Sequence, residues 1–122
     1  MNGTDEESIV AEGDWGTVRY AVESSGDMPA KEFVEGLDPP KLRKMANLFQ
    51  WMANLGRISN DRRFKQVSDK IFEFKNHQIR IACFRVGQVW FLAHGFVKKQ
   101  DKWPPKELTR ANRIRNEHLA RQ

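Results

Sequence analysis

Hydrophobic positions repeat with two different periods along the chain, and the changes of period divide it into elements. In residues 15–22, Trp15, Thr17, Arg19 and Ala21 alternate with Gly16, Val18, Tyr20 and Val22, a β-rich run that predicts a first strand. The 14 residues before it are acidic and nearly free of large apolar side chains, so a flexible tail is expected there. Ser24-Ser25-Gly26-Asp27 is turn chemistry, and residues 29–37 support a short helix. A longer helix is punctuated by Asp38 as N-cap, Pro39 and Pro40 in the first turn and Gly56 just past the end. Its apolar stripe is Leu42, Met45, Phe49 and Met52, widened by Leu48 and Leu55, and Trp51 reads as core with them. Residues 57–69 are basic and aperiodic, which predicts a loop. Three β-like runs follow at 70–75, 78–85 and 88–98, separated by Asn76-His77 and Val86-Gly87, spacings that suit hairpins. Pro104 and Pro105 then open a last helix reaching about Ala120, with Leu108, Ala111, Ile114 and Leu119 on one side.

This order of elements predicts a small α+β domain over residues 15–122, an antiparallel sheet with helices packed against it. Alternation assigns the faces. Phe72 and Phe74 share one side of their strand while Glu73 and Lys75 share the other, and Ile79, Ile81 and Cys83 oppose Arg80, Ala82 and Phe84. The apolar sets are expected to meet the helices, so that Glu73, Lys75 and Arg80 project together from the opposite face.

Charge changes the picture more than size does. The net charge of +5 averages over a strong division. The first 14 residues carry five acids and no base, residues 15–56 are balanced, and residues 57–122 hold sixteen bases against six acids, a surplus of +10. Such a field attracts polyanions, with nucleic acid or an acidic protein as the leading partners. The longest apolar run, at 89–97, falls well short of the roughly 20 residues that span a bilayer. One cysteine, Cys83, allows no internal disulfide, and the N-terminal residues show no secretory pattern, so a cytoplasmic location is expected. The histidines and Cys83 form no zinc pattern and no Gly-rich phosphate loop exists, so neither metal nor cofactor is implied.

The run Ile79-Arg80-Ile81 through Phe84-Arg85, then His94-Gly95-Phe96-Val97-Lys98-Lys99, then Lys102, Pro104, Glu107 and Ala111 carries a specific pattern. It resembles the HigB-like, phage-related branch of the RelE/ParE toxin superfamily over about residues 70–115. The resemblance implies a RelE/ParE-like fold and the toxin of a type II toxin-antitoxin pair. It further implies a metal-independent endoribonuclease that cleaves mRNA, commonly on the ribosome, and a helix-turn-helix antitoxin encoded beside it. Two departures stand out. RelE-type members carry several lysines on the strand before the arginine hairpin and a tyrosine near the C-terminus, whereas here that strand offers Glu73 and Lys75 and the only tyrosine is Tyr20. Trp103 stands where the branch usually has threonine.

Cleavage by a neighbouring 2′-OH needs a group to take its proton, a group to protonate the leaving 5′-oxygen, and fixed cations for the phosphorane-like transition state. Arg80, with its bidentate fork, is the candidate phosphate clamp, joined by Lys98 and by Lys75 from the adjacent strand. Glu73 and His94 are rival bases, although His94, inside an apolar strand, equally suits a hydrogen-bonded core histidine. Lys99, Arg85, Lys102, Arg62 and Arg63 are the further candidates for holding RNA. Trp90 and Trp103 suit either base stacking or the filling of a sheet face and a helix entrance. Two other functions fit the same residues: a ParE-like gyrase poison without catalysis, and a degenerate module that only binds RNA or protein.

Overall fold

The computed structural model describes residues 4–121. The elements in chain order are α1 (Thr4–Ser8), β1 (Ile9–Glu12), β2 (Thr17–Tyr20), α2 (Pro29–Glu35), α3 (Pro39–Leu55), β3 (Phe64–Gln66), β4 (Phe72–Asn76), β5 (Ile79–Val86), β6 (Val89–Val97) and α4 (Pro105–Ala120). The architecture is the expected α+β one. Six strands form one sheet in the order β1-β2-β6-β5-β4-β3, antiparallel throughout except where β2 runs parallel to β6, pairing Thr17 with Val89 and Tyr20 with Leu92. That pair makes the sheet mixed.

Helix α3 begins and ends where its punctuation requires. Asp38 accepts the Lys41 backbone N–H, the prolines occupy the first turn, and Gly56 closes the helix at φ 87°. Its buried residues Met45, Leu48, Phe49, Met52 and Ala53 pack with Val34 of α2 onto Val18, Phe74, Ile81, Cys83, Trp90 and Leu92 of the sheet. Phe74 takes Phe49 and Phe64 edge-on, each with ring centroids 5.0 Å apart. The Trp90 indole donates to the Gly56 carbonyl at 2.6 Å, which fastens the end of α3 to β6. On the other face a smaller core joins Ala82 and Phe84 of β5, Phe91 and Ala93 of β6, Ile71, and Ala111 and Ile114 of α4. His118, near the end of α4, accepts the Val22 N–H through Nδ1 at 3.0 Å.

Several expectations are corrected. Helix α4 covers the sheet face from which Glu73 and Arg80 were expected to project freely. Of residues 1–14, expected as a flexible tail, 4–8 form α1 and 9–12 pair as edge strand β1 with β2, while 1–3 lie outside the described residues, and residues 64–66 of the expected basic loop pair as β3 with β4. Both strands are too short to show a period of their own, and their partners supply the order. Trp51 is 53% exposed and Leu55 63%, so neither joins the buried face of α3, which is Met45, Leu48, Phe49, Met52 and Ala53. The hairpin turns sit one residue later than their spacing suggests, at His77-Gln78 and Gly87-Gln88, each with its first residue at positive φ.

The β5–β6 ladder contains an irregularity. Cys83 pairs with Leu92 but Ala82 pairs with His94, so Ala93 is an extra residue in β6. Trp90 and Leu92 face α3, and uninterrupted alternation would send His94 there too. The bulge turns it to the α4 side, together with Phe96.

Candidate functional site

At the open end of the β5–β6 hairpin, Gln78, Arg80, Lys98, Lys99, Gln100 and Asp101 line a concavity of about 270 Å³. Two local features build it. The bulge puts Lys98 in phase with Arg80 instead of opposite it, and the Lys98 N–H donates to the Gln78 carbonyl at 2.7 Å, which closes the hairpin end. Lys98 is half-buried, Lys99 and Asp101 are exposed, and neither lysine has an ion-pair partner within 4 Å among the described residues.

Arg80 is only 9% exposed. Its Nη1 donates to the carbonyls of His77 and of Ile79, the latter at 3.0 Å, while Nε faces Glu73 Oε1 at 3.3 Å without hydrogen-bond alignment. Nε and Nη1 are therefore turned to the protein, each bidentate edge of the guanidinium has lost one member, and the fork expected from sequence is not presented whole. Glu73 Oε1 also accepts the Trp103 indole N–H at 2.7 Å. Trp103 packs edge-on against Phe96, with centroids 4.8 Å apart, so it fills the entrance to α4.

The remaining candidates lie elsewhere. Glu73 is 5% exposed and lines no part of the concavity. Lys75, Cα partner of Arg80 across the ladder, turns its ammonium to the Asp61 carbonyl at 3.2 Å. His94 is fully buried and its Nε2 meets Glu107 Oε1 at 3.0 Å. Burial, then the nearby Arg110, hold the His94 pKa down to about 4 against the opposing pull of Glu107. The ring is neutral near pH 7, so the Nε2–H donates to the carboxylate and Nδ1 is an acceptor without a partner among the described residues. Arg85, at the far end of β5, lies over the Trp15 ring with its guanidinium carbon 5.0 Å from the centroid. Lys102 is exposed beside the concavity without lining it, Arg62 is exposed before β3, and Arg63 belongs to a groove along α3. Cys83 is buried, and burial, with Glu73 adding to it, pushes its thiol well above the ordinary range.

The structure thus brings together Arg80, Lys98 and Lys99, and separates them from Lys75, Glu73, His94 and Arg85. Sequence reading missed Gln78, Gln100 and Asp101, which flank the named cations and carry no periodic signal. It also missed Glu107 as the partner of His94, since only the bulge makes them meet. Among the described residues no three His, Cys, Asp or Glu side chains gather as a metal ion would require, and no helix is long and apolar enough to cross a membrane.

A family model described as Phage derived protein Gp49-like (DUF891) matches residues 32–116, which contain the whole concavity. No curated protein matches the chain.

Proposed function

Because the chain belongs to the phage-derived Gp49-like family, which is associated with the toxins of toxin-antitoxin systems, we propose that it is such a toxin and that it acts on RNA. The observation that carries this reading is the convergence of Arg80, Lys98 and Lys99 on one concavity, in a half-chain with a surplus of +10. Three cations there suit a phosphodiester, and the exposed carboxylate of Asp101 beside them suits proton transfer.

In the proposed reaction a ribose 2′-OH attacks the adjacent phosphorus and the bond to the 5′-oxygen breaks. The products are a 2′,3′-cyclic phosphate and a 5′-hydroxyl. Lys98 and Lys99 balance the charge on the phosphorane-like transition state, and Nη2 of Arg80 holds one phosphoryl oxygen. Asp101 takes the 2′ proton and a lysine ammonium returns one to the leaving oxygen. Glu73 and His94 drop out as bases, because each is buried and committed to a neighbour. mRNA, on the ribosome, is the substrate proposed, and the family implies an antitoxin partner.

The same burial of Glu73 and His94 favours a second reading, a gyrase poison without catalysis. Mapping of 5′ ends in cellular transcripts after induction separates the two. New 5′-hydroxyl ends inside reading frames support the ribonuclease, whereas DNA damage with intact mRNA overturns it.

A further inference from the structure

Helix α3 contributes to two adjoining concavities that the proposed reaction does not use. One, of about 260 Å³, is lined by Lys44, Asn47 and Leu48 of α3 together with Arg63, Asn76 and His77. The other, of about 530 Å³, continues along the helix past Gln50, Trp51 and Asn54, with Asn47, Leu48 and Arg63 common to both. The first holds two cations and no carboxylate. Asn76 is 4% exposed there, and its Nδ2 is buried without a hydrogen-bond partner among the described residues. A buried amide donor left unmatched costs free energy unless an acceptor reaches it. With Lys44 and Arg63 at the rim, the acceptor that fits is an anionic oxygen.

We infer that this groove binds a helical segment of a partner protein that places a carboxylate against Lys44, Arg63 and Asn76 and an apolar side chain on Trp51. The charge of the groove selects an acidic partner. Lys44 and Asn76 belong to the first concavity alone, Arg63 and Leu48 to both, and the half-exposed Trp51 and Asn54 to the second alone, a passage from charged to apolar and amide surface that suits an amphipathic helix better than a strand of evenly spaced phosphates. From Lys44 to Trp51 is two helical turns, about 10 Å, so the partner's Asp or Glu and its apolar anchor stand about seven residues apart. The β4–β5 turn separates this groove from the Arg80 concavity: Asn76 and His77 face one and Gln78 the other, while the His77 carbonyl holds Arg80. A partner seated on α3 therefore touches the turn that positions Arg80. The inference deepens the toxin reading by locating a partner, and it rests on that reading for the partner's role.

The test uses the full chain and a synthetic alanine-glutamine helix of about 15 residues, long enough to be marginally helical, bearing one Glu and one Leu seven positions apart. In an NMR titration it is expected to shift the Asn76 side-chain amide and the Trp51 indole N–H. The analogue with Gln for Glu should bind about tenfold more weakly, as loss of a charge-assisted hydrogen bond implies. Lys44→Glu and Trp51→Ala should each weaken the peptide by a similar factor while leaving growth arrest on induction intact. Equal binding of the Gln analogue, or shifts confined to Arg80 and Lys98, would overturn the assignment, as would a single-stranded oligoribonucleotide that shifts Asn76 and Trp51 in place of the peptide. Absence of growth arrest by the wild type would count against the toxin reading alone, since the peptide titration reads the groove independently.

Discussion

Glu73 accepts the indole N–H of Trp103 at 2.7 Å and, through the same oxygen, faces the guanidinium of Arg80 at 3.3 Å. One buried carboxylate thus ties the sheet to the segment that leads from the Lys98-Lys99 pair into α4. Removing it strands a buried guanidinium, so Glu73→Ala is expected to cost about 3–5 kcal/mol. Trp103→Phe keeps a ring against Phe96 but loses the hydrogen bond, and is expected to cost about 1–2 kcal/mol. Urea unfolding of both variants checks the order; equal stability of Glu73→Ala and wild type would show that the carboxylate does not hold Arg80.

Lys98→Ala and Lys99→Ala are expected to relieve growth arrest with melting temperatures close to wild type, because neither ammonium is paired. Arg80→Ala should relieve it as well, but with a clear loss of stability, since Arg80 bonds two carbonyls and neutralises Glu73. Thermal melts run beside the growth assay separate the two kinds of loss. Full toxicity of the Lys98→Ala, Lys99→Ala double variant would remove the concavity from the account.

RNA affinity should fall with salt. Three cations releasing counterions from a single strand give a slope of log K against log salt of about −2, falling to about −0.7 when Lys98 and Lys99 are both replaced. Fluorescence anisotropy with a labelled oligoribonucleotide over a salt series measures both slopes, and an unchanged slope in the double variant would place the contacts elsewhere.

Acid should destabilise the fold through its histidines. The unfolded chain binds a proton at His94 near pH 6.5, whereas in the folded protein the pKa lies at about 4. Between these values the unfolded state holds more protons, so stability falls as pH drops from 6.5 towards 4 and is steady with respect to this group outside that window. The loss is on the order of 3 kcal/mol. His118, its pKa lowered by burial and then by Arg121, adds a loss of the same sign. His94→Gln, which retains a donor for Glu107, should flatten this part of the curve in urea midpoints taken between pH 7.5 and pH 4.5.

Gly95 leaves no room for a side chain. A Cβ there would stand 2.2 Å from the Phe33 ring, so Gly95→Ala must displace the ring by which α2 packs on β6 and is expected to cost about 1–3 kcal/mol. The size of that cost, read by chemical unfolding, reports how firmly α2 is seated.

What the sequence makes legible is what local chemistry determines. Asp38, the two prolines and Gly56 delimit α3 because each acts on its own turn, and alternation in 72–75 and 79–84 assigns both faces of β4 and β5 correctly. The bulge at Ala93 has no such signature, yet it decides that His94 meets Glu107 and that Lys98 falls in phase with Arg80. Strand β3 is invisible for a related reason: Phe64 alone looks like a stray apolar residue until Phe72 and Phe74 are set beside it. Arg80 could be named as a candidate clamp from its residue type, but not the commitment of its Nε and Nη1, which depends on a turn and on a carboxylate across the ladder.

The parallel pairing of β2 with β6 has a consequence for how the molecule comes into being. Thr17 waits for Val89, about 70 residues later in synthesis, so the first strands leave the ribosome without the neighbour that completes their hydrogen bonding. Long-range pairing of this kind slows folding, because a large loop must close before any contact repays it. The Arg80 concavity is assembled where β5 begins and β6 ends, so it forms only after the strand that completes the β2 pairing has emerged. The cationic surface therefore takes shape together with the pairing that locks the sheet across its centre, and not before.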